Sequence, residues 1–385
     1  MRHLRERAAV KLRRDADVSK PRLLARPTLA VPVGVFLLWR VLHALIVAIF
    51  GGGVMETTYR FDGGYFLAVL RQGYVLPPGG YQEFSNVAFF PGLAWVTSAV
   101  QLVVRNEQVA TALVANGLAL AAFVALWGAV LAWTDSGAVA RRAVLALALF
   151  PTSHFLWMYY SEALLVSSVA AAAWASRRDR PAATAGLLAV AATARVVGVL
   201  AGPALAVARV VRLRRVDRTA VLYVASSGLG FAAVLFRQGA EIGDPFGWAK
   251  AQGAWGRELA PPWSPLATAV RDIIDTLPSV AEGVGLDLVT VFALGALIVL
   301  LYRGARQGRW PLDPALLATA FWFVPLCSRL ISSQVRFALV CWPVLLVPAH
   351  AWPRMHRALR LGLVVAAVGL TVVLLRRLAL GVFTA

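Results

Sequence analysis

The run Val109–Trp133, VATALVANGLALAAFVALWGAVLAW, contains no charged side chain. It is longer than the roughly 20 residues an α-helix needs to cross the hydrocarbon core of a bilayer. Leu118 to Leu131 show no alternation of apolar and polar residues. A membrane barrel would instead be built from ~10-residue alternating strands. The hydrocarbon holds no water to satisfy a backbone, so a helix is the expected form.

The pattern repeats along the chain. Apolar segments fall at 29–50, 88–104, 109–133, 142–160, 161–176, 182–195, 196–211, 219–237, 286–302, 314–327, 336–351 and 361–375. Of the 385 residues, 59% are hydrophobic and 15% charged, and the mean hydropathy is +0.70. A soluble domain has about 45–50% apolar and about 25% charged residues. The reading is an all-α, polytopic transmembrane protein of about 10–12 helices. A basic segment, 1–28, precedes a single membrane domain, 29–385. Two stretches, 51–87 and 238–285, are too long and polar to be tight turns.

The net charge of +19 does not point to a nucleic-acid partner. The basic residues lie in short loops between apolar runs, as the positive-inside rule places them, and form no continuous face. The partner they imply is the bilayer, with Arg2, Arg5, Arg7, Lys11, Arg13 and Arg14 against anionic lipid heads. Leu29 to Phe50 is too long for the apolar core of a cleavable signal. The two cysteines, Cys327 and Cys341, lie in or beside apolar segments and read as small buried side chains. No His/Cys spacing for a metal, no P-loop, no dinucleotide fingerprint and no nucleophile elbow is present.

Charge also sets parity. The N-terminal cluster, Arg141-Arg142, Arg177 to Arg180, Arg209 to Arg218, Arg303 to Arg309 and Arg354 to Arg360 can all be cytoplasmic under one arrangement. It requires 88–104, with Pro91 and Gly92 near its start, to be re-entrant or interfacial. The alternative is a true span with Arg141-Arg142 outside. Under the first arrangement 51–87, 238–285, Tyr159–Glu162, Arg195 and Ser328–Arg336 all face outward.

Four constellations stand out. Tyr59-Arg60-Phe61-Asp62-Gly63-Gly64-Tyr65-Phe66-Leu67 places a carboxylate directly after the first span. Phe66, Leu67 and Leu70 have helical spacing, so a short amphipathic helix at the membrane surface is expected. Asp62 reads either as the N-cap of that helix or as a chemical group. Asn86-Val87-Ala88-Phe89-Phe90-Pro91-Gly92 reads as an interfacial aromatic belt leading into a helix. Glu162, Arg195 and Arg336 sit at the ends of apolar runs. Charge there pairs or faces a polar cavity. Glu162 with Arg195 is one such pairing, and recognition of an anion by forked arginine donors is the other reading. Gly243-Asp244-Pro245-Phe246 precedes Trp248, Gln252, Trp255 and Arg257; Trp248, Gln252 and Trp255 share a helix face and read as an interfacial belt or a substrate wall.

Taken in order, these pieces resemble the GPI mannosyltransferase II (PIG-V-like) family, in its bacterial form, among the GT-C glycosyltransferases. The matching elements are Phe61-Asp62-Gly63-Gly64-Tyr65-Phe66 with Gly73-Tyr74, then Ala88-Phe89-Phe90-Pro91, then Phe150-Pro151-Thr152-Ser153. Tyr160-Ser161-Glu162, Ala194-Arg195-Val196-Val197-Gly198, and Gly243-Asp244-Pro245 with Gln252 and Trp255 follow. The chain departs from the family pattern where Phe61 replaces Trp, Gly64 a bulky residue or His, and Val196 Pro.

The resemblance implies transfer of mannose from polyprenol-phosphate mannose to a lipid or glycan acceptor at the outer face of the plasma membrane. No cofactor or metal is implied, because the donor is an activated lipid phosphate. Asp62 would be the general base. Arg195 and then Arg336 would bind the donor phosphate. Tyr65, Tyr74, Glu162, Asp244, Gln252 and Trp255 would line the substrate site. A transporter or flippase built around Arg195 and Arg336 is the competing class.

Overall fold

The computed structural model describes residues 29–275, 278–330 and 333–383; the basic segment 1–28 lies outside them. The described residues form helices joined by short turns. In chain order these are α1 (Ala30–Ile49), α2 (Val54–Thr58), α3 (Asp62–Gln72), α4 (Gly92–Gln101), α5 (Glu107–Thr134), α6 (Gly137–Ala148), α7 (Ser161–Arg177), α8 (Pro181–Ala194), α9 (Ala201–Leu213), α10 (Arg218–Ile242), α11 (Gly247–Ala251), α12 (Ser264–Asp275), α13 (Pro278–Arg306), α14 (Asp313–Leu326), α15 (Gln334–Val340), α16 (Leu346–Ala351) and α17 (Arg357–Ala379).

Six helical segments are long and apolar enough to cross a membrane: α1, α5, the run Val196–Leu213 that includes α9, α10, Val284–Arg306 of α13, and α17. A seventh is broken, with Gln334–Val340 and Trp342–Arg354 meeting at 76°. Shorter apolar helices, α8 and α14, pack among them. The multi-pass all-α architecture read from the hydropathy is therefore the one observed.

Local signals explain the boundaries. The side chains of Asn106, Ser136 and Asp217 each accept a hydrogen bond from the first turn of the helix that follows. Gly243 ends α10 in the left-handed region, where a residue without Cβ pays no steric penalty. The apolar segment 142–160 is not one helix. It stops at Ala148, turns through Pro151, makes a 3₁₀ turn at Ser153–Leu156 and restarts at Ser161.

The core lies around α7, whose residues Ser161–Ala170 are all buried. A helix buried on every side is the mark of a bundle centre. Its serines and alanines let α5 and α8 come close. Gly128 on α5 lies against the Trp174 ring, where an added Cβ would come within 2.4 Å of a ring carbon. On the outer helices the pattern inverts. Leu37, Leu38, Val41 and Leu45 on α1, and Leu361, Val365 and Val373 on α17, are exposed. These side chains are suited to lipid.

The basic turns gather at one end of the bundle. Arg209 bonds Asp217 and Asp179, Arg142 reaches the Ala349 carbonyl, and Trp310 packs on His350. The motif-bearing loops gather at the other end. Segment 88–104 begins and ends there. Phe89 stacks on Tyr65 of α3, and Glu107 takes Arg71 of α3 through both carboxylate oxygens. α4 has 10 residues, which at about 1.5 Å per residue reach roughly 15 Å, half a bilayer core. Both ends of the segment therefore lie against α3.

This geometry makes a labelling prediction. In a background with Cys327 and Cys341 replaced, E83C and R105C should react with a membrane-impermeant maleimide from the same side, and D135C from the opposite side.

Candidate active site

The loop after α1 is built around one awkward residue. Phe61 has φ +54, a region that side chains with Cβ avoid. The surroundings hold it there. The Tyr160 hydroxyl accepts from the Asp62 amide at 2.9 Å and donates to the Arg60 carbonyl at 3.0 Å, bracketing Phe61. Arg60 donates to the Leu378 carbonyl at 2.7 Å. The Phe61 ring meets Phe383 edge-on at 5.2 Å. Such local strain is found where the surrounding structure over-determines it.

The turn delivers Asp62 as the first residue of α3, after Phe61 in the capping position. Asp62 is therefore not the N-cap. Its Oδ2 instead accepts from Arg336 Nη1 at 2.5 Å, and no described residue hydrogen-bonds its Oδ1. On α3 the buried positions are Gly63, Phe66 and Val69, one step away from the expected Leu67 and Leu70.

Behind Asp62 lies a buried ionic chain. Arg336 donates through Nε to Glu162 Oε1 at 2.5 Å, and Arg195 Nη1 donates to the same oxygen at 2.5 Å. The Glu162 side chain is fully buried and that of Arg336 is 5% exposed. The mutual pair of Glu162 with Arg195 is thus present, with Arg336 as a third member. The Arg336 guanidinium also lies over the rings of Tyr160 at 4.6 Å and Phe155 at 5.0 Å.

Three chain breaks bring these groups together. Glu162 stands in the first turn of α7. Arg195 is in extended conformation between α8 and the 3₁₀ turn Val196–Leu200. That turn packs tightly because Gly198 has no Cβ; one would meet the Ala191 carbonyl. Arg336 is in the first turn of α15, whose N-terminal amides at Gln334 and Val335 donate to Asp287 of α13.

A cavity of about 1110 Å³ opens beside this chain. Asp62, Arg195, Arg336 and Arg257 lie on its wall, with Tyr65, Gln252 and Trp255. Tyr65 stacks on Phe89 at 5.0 Å, and Trp255 meets both edge-on. Gln252 donates to the Ala88 carbonyl. Glu162, Tyr74 and Asp244, expected as lining residues, are not on that wall. Glu162 sits behind the arginines. The Tyr74 hydroxyl donates to the Phe89 carbonyl. Asp244 ties down its own loop through Tyr81 and Lys250. The Lys250 ammonium, with the Tyr81 hydroxyl, holds the Asp244 carboxyl below the usual carboxylate range. Two contributors not chosen from the sequence are the Tyr160 clamp and Arg257. Tyr160 was visible in the Tyr-Ser-Glu motif. Arg257 looked like an ordinary loop charge. Among the described residues, no group of three His, Cys, Asp or Glu side chains could hold a metal ion.

No protein-family model matches this chain, and no curated protein does. Solved structures do. The oligosaccharyltransferase of Archaeoglobus fulgidus in its apo form aligns over 91% of this chain and 56% of its own, at TM-score 0.51 and 13% identity. The same protein in complex with zinc and sulfate aligns over 89% of this chain and 53% of its own, at TM-score 0.50 and 16% identity. The chain thus spans a little over half the length of these proteins. The likeness shows that this chain shares its helical fold with that oligosaccharyltransferase.

The ionic chain predicts a stability asymmetry. Glu162→Ala leaves Arg195 and Arg336 adjacent with no carboxylate between them. It should cost about 3–5 kcal/mol, read as a lowered unfolding midpoint in detergent. Asp244→Asn, at the loop staple, should shift that midpoint much less.

Proposed function

We propose that this chain is a membrane glycosyltransferase that moves mannose from polyprenol-phosphate mannose to a lipid or glycan acceptor at the outer face of the membrane. The observation that carries the reading is the cavity wall itself, where Asp62 lies with three arginines and the aromatic side chains of Tyr65, Phe89 and Trp255. The GT-C fold supports the enzyme class. The ordered motifs support the donor and the sugar, and the distribution of Arg and Lys supports the orientation.

The chemistry follows from charge. The acceptor hydroxyl attacks the anomeric carbon, the bond from that carbon to the phosphate oxygen breaks, and the phosphate leaves with the electron pair. The sugar passes through an oxocarbenium-like state. Asp62 receives the hydroxyl proton through Oδ1, while Oδ2 stays on Arg336. The arginines stabilise the charge growing on the leaving phosphate. Tyr65 and Trp255 offer apolar ring faces to a sugar, and Gln252 a polar edge. Release of lipid phosphate into an apolar groove removes any need for a nucleotide-binding domain.

Asp62→Asn keeps the shape and loses the base. It should leave the unfolding midpoint near that of the wild type and lower transfer from labelled polyprenol-phosphate mannose by at least about 10²-fold. Near-normal transfer in this variant would sink the assignment. Flux of lipid-linked sugar across proteoliposomes without any transfer would favour a flippase instead, which the helix break at Arg195 also permits.

A further inference from the structure

The three cavity arginines are not equivalent. Arg336 is committed to Asp62 and Glu162, and Arg195 to Glu162. Arg257 makes no side-chain hydrogen bond or ion pair with any described residue, although it lies on the cavity wall. The acids around it are engaged elsewhere. Asp62 holds Arg336, Asp287 takes the amides of Gln334 and Val335, and Glu258 faces Arg329. Burial and the neighbouring Arg336 and Arg195 cations lower the Arg257 pKa to about 10, still charged at neutral pH.

Arg257 is also held in place. It follows Gly256, which is in the left-handed region. The strand-like pairing of the next residues fixes the backbone: Arg329 donates to the Glu258 carbonyl and Ala260 to the Cys327 carbonyl, with Leu259 bridged to Ser328. The guanidinium lies over the Phe337 ring at 5.3 Å, and Arg195 lies over the same ring at 5.0 Å. Arg195 and Arg257 thus share one aromatic ring, while only Arg195 has a carboxylate. The same cavity wall carries the apolar side chains of Phe321, Val324, Pro325 and Leu330.

A pre-positioned, charged and uncommitted forked donor in a cavity that also carries these apolar side chains fits one ligand chemistry: a phosphate ester carrying a hydrocarbon tail. We infer that Arg257 is the residue that grips the donor's lipid phosphate, and that Arg195 and Arg336 act as positioning residues for the two carboxylates. The inference rests on the donor class proposed above and reassigns the contact within it.

The test uses the purified full chain in detergent and three probes: a polyprenyl phosphate, the matching polyprenol without phosphate, and inorganic phosphate. Arg257→Ala should weaken polyprenyl phosphate binding at least tenfold, leave polyprenol binding and the unfolding midpoint unchanged, and raise KM for the lipid-linked sugar more than it lowers kcat. Arg257→Lys should recover part of the affinity. Equal binding of polyprenyl phosphate to wild type and Arg257→Ala would overturn the assignment while leaving the transfer reading standing. Wild-type protein that binds polyprenyl phosphate no better than polyprenol would overturn both. Inorganic phosphate that matches polyprenyl phosphate in affinity would overturn the lipid source of the anion.

Discussion

A single carboxylate oxygen, Glu162 Oε1, takes hydrogen bonds from two arginines that are 141 positions apart in the chain. Ionised groups taken out of water are costly unless they are paired with good geometry. That cost governs the rest of the arrangement. α7 begins there, α8 ends there, and the bent span α15–α16 begins there, and each delivers one member of the network. Asp62 joins through the outer edge of Arg336. The catalytic candidate is thus set by a frozen interior and opened to a cavity on one side. The positive-φ turn at Phe61 and the Tyr160 clamp hold Asp62 from the other direction.

The likeness to a longer protein narrows what the shared fold can mean. Near-complete coverage of this chain says that the helical frame is common to both. At 13% identity the side chains are largely different. The chemistry has to be argued from Asp62, Glu162 and the arginines themselves.

How much of this was legible in the sequence depended on contrast. Glu162, Arg195 and Arg336 stood out because each sits at the end of an apolar run, where charge demands a reason, and Asp62 because it follows directly on the first span. Arg257 was harder, since an arginine in a polar loop has no contrast with its neighbours, and its isolation from acids is a property of three dimensions. The segment 142–160 was read as one helix because apolarity does not tell lipid from protein. Its second half is apolar since it lies under the first loop, with the Tyr159 amide donating to the Thr58 carbonyl. Tyr74 and Asp244 were drawn into the site by their place in the motifs. Their polar atoms are consumed by local hydrogen bonds to Phe89, Tyr81 and Lys250.

The order of the charges along the chain has a consequence for biosynthesis. Glu162 and Arg195 emerge early and can neutralise each other as soon as α7 and α8 are inserted. Arg336 arrives only after six more helices have been made, and until then Asp62 has no cation from the network beside it. Phe383, which packs on Phe61, arrives later still. A chain made only as far as α8 therefore holds the Glu162–Arg195 pair while Asp62 still lacks its cation.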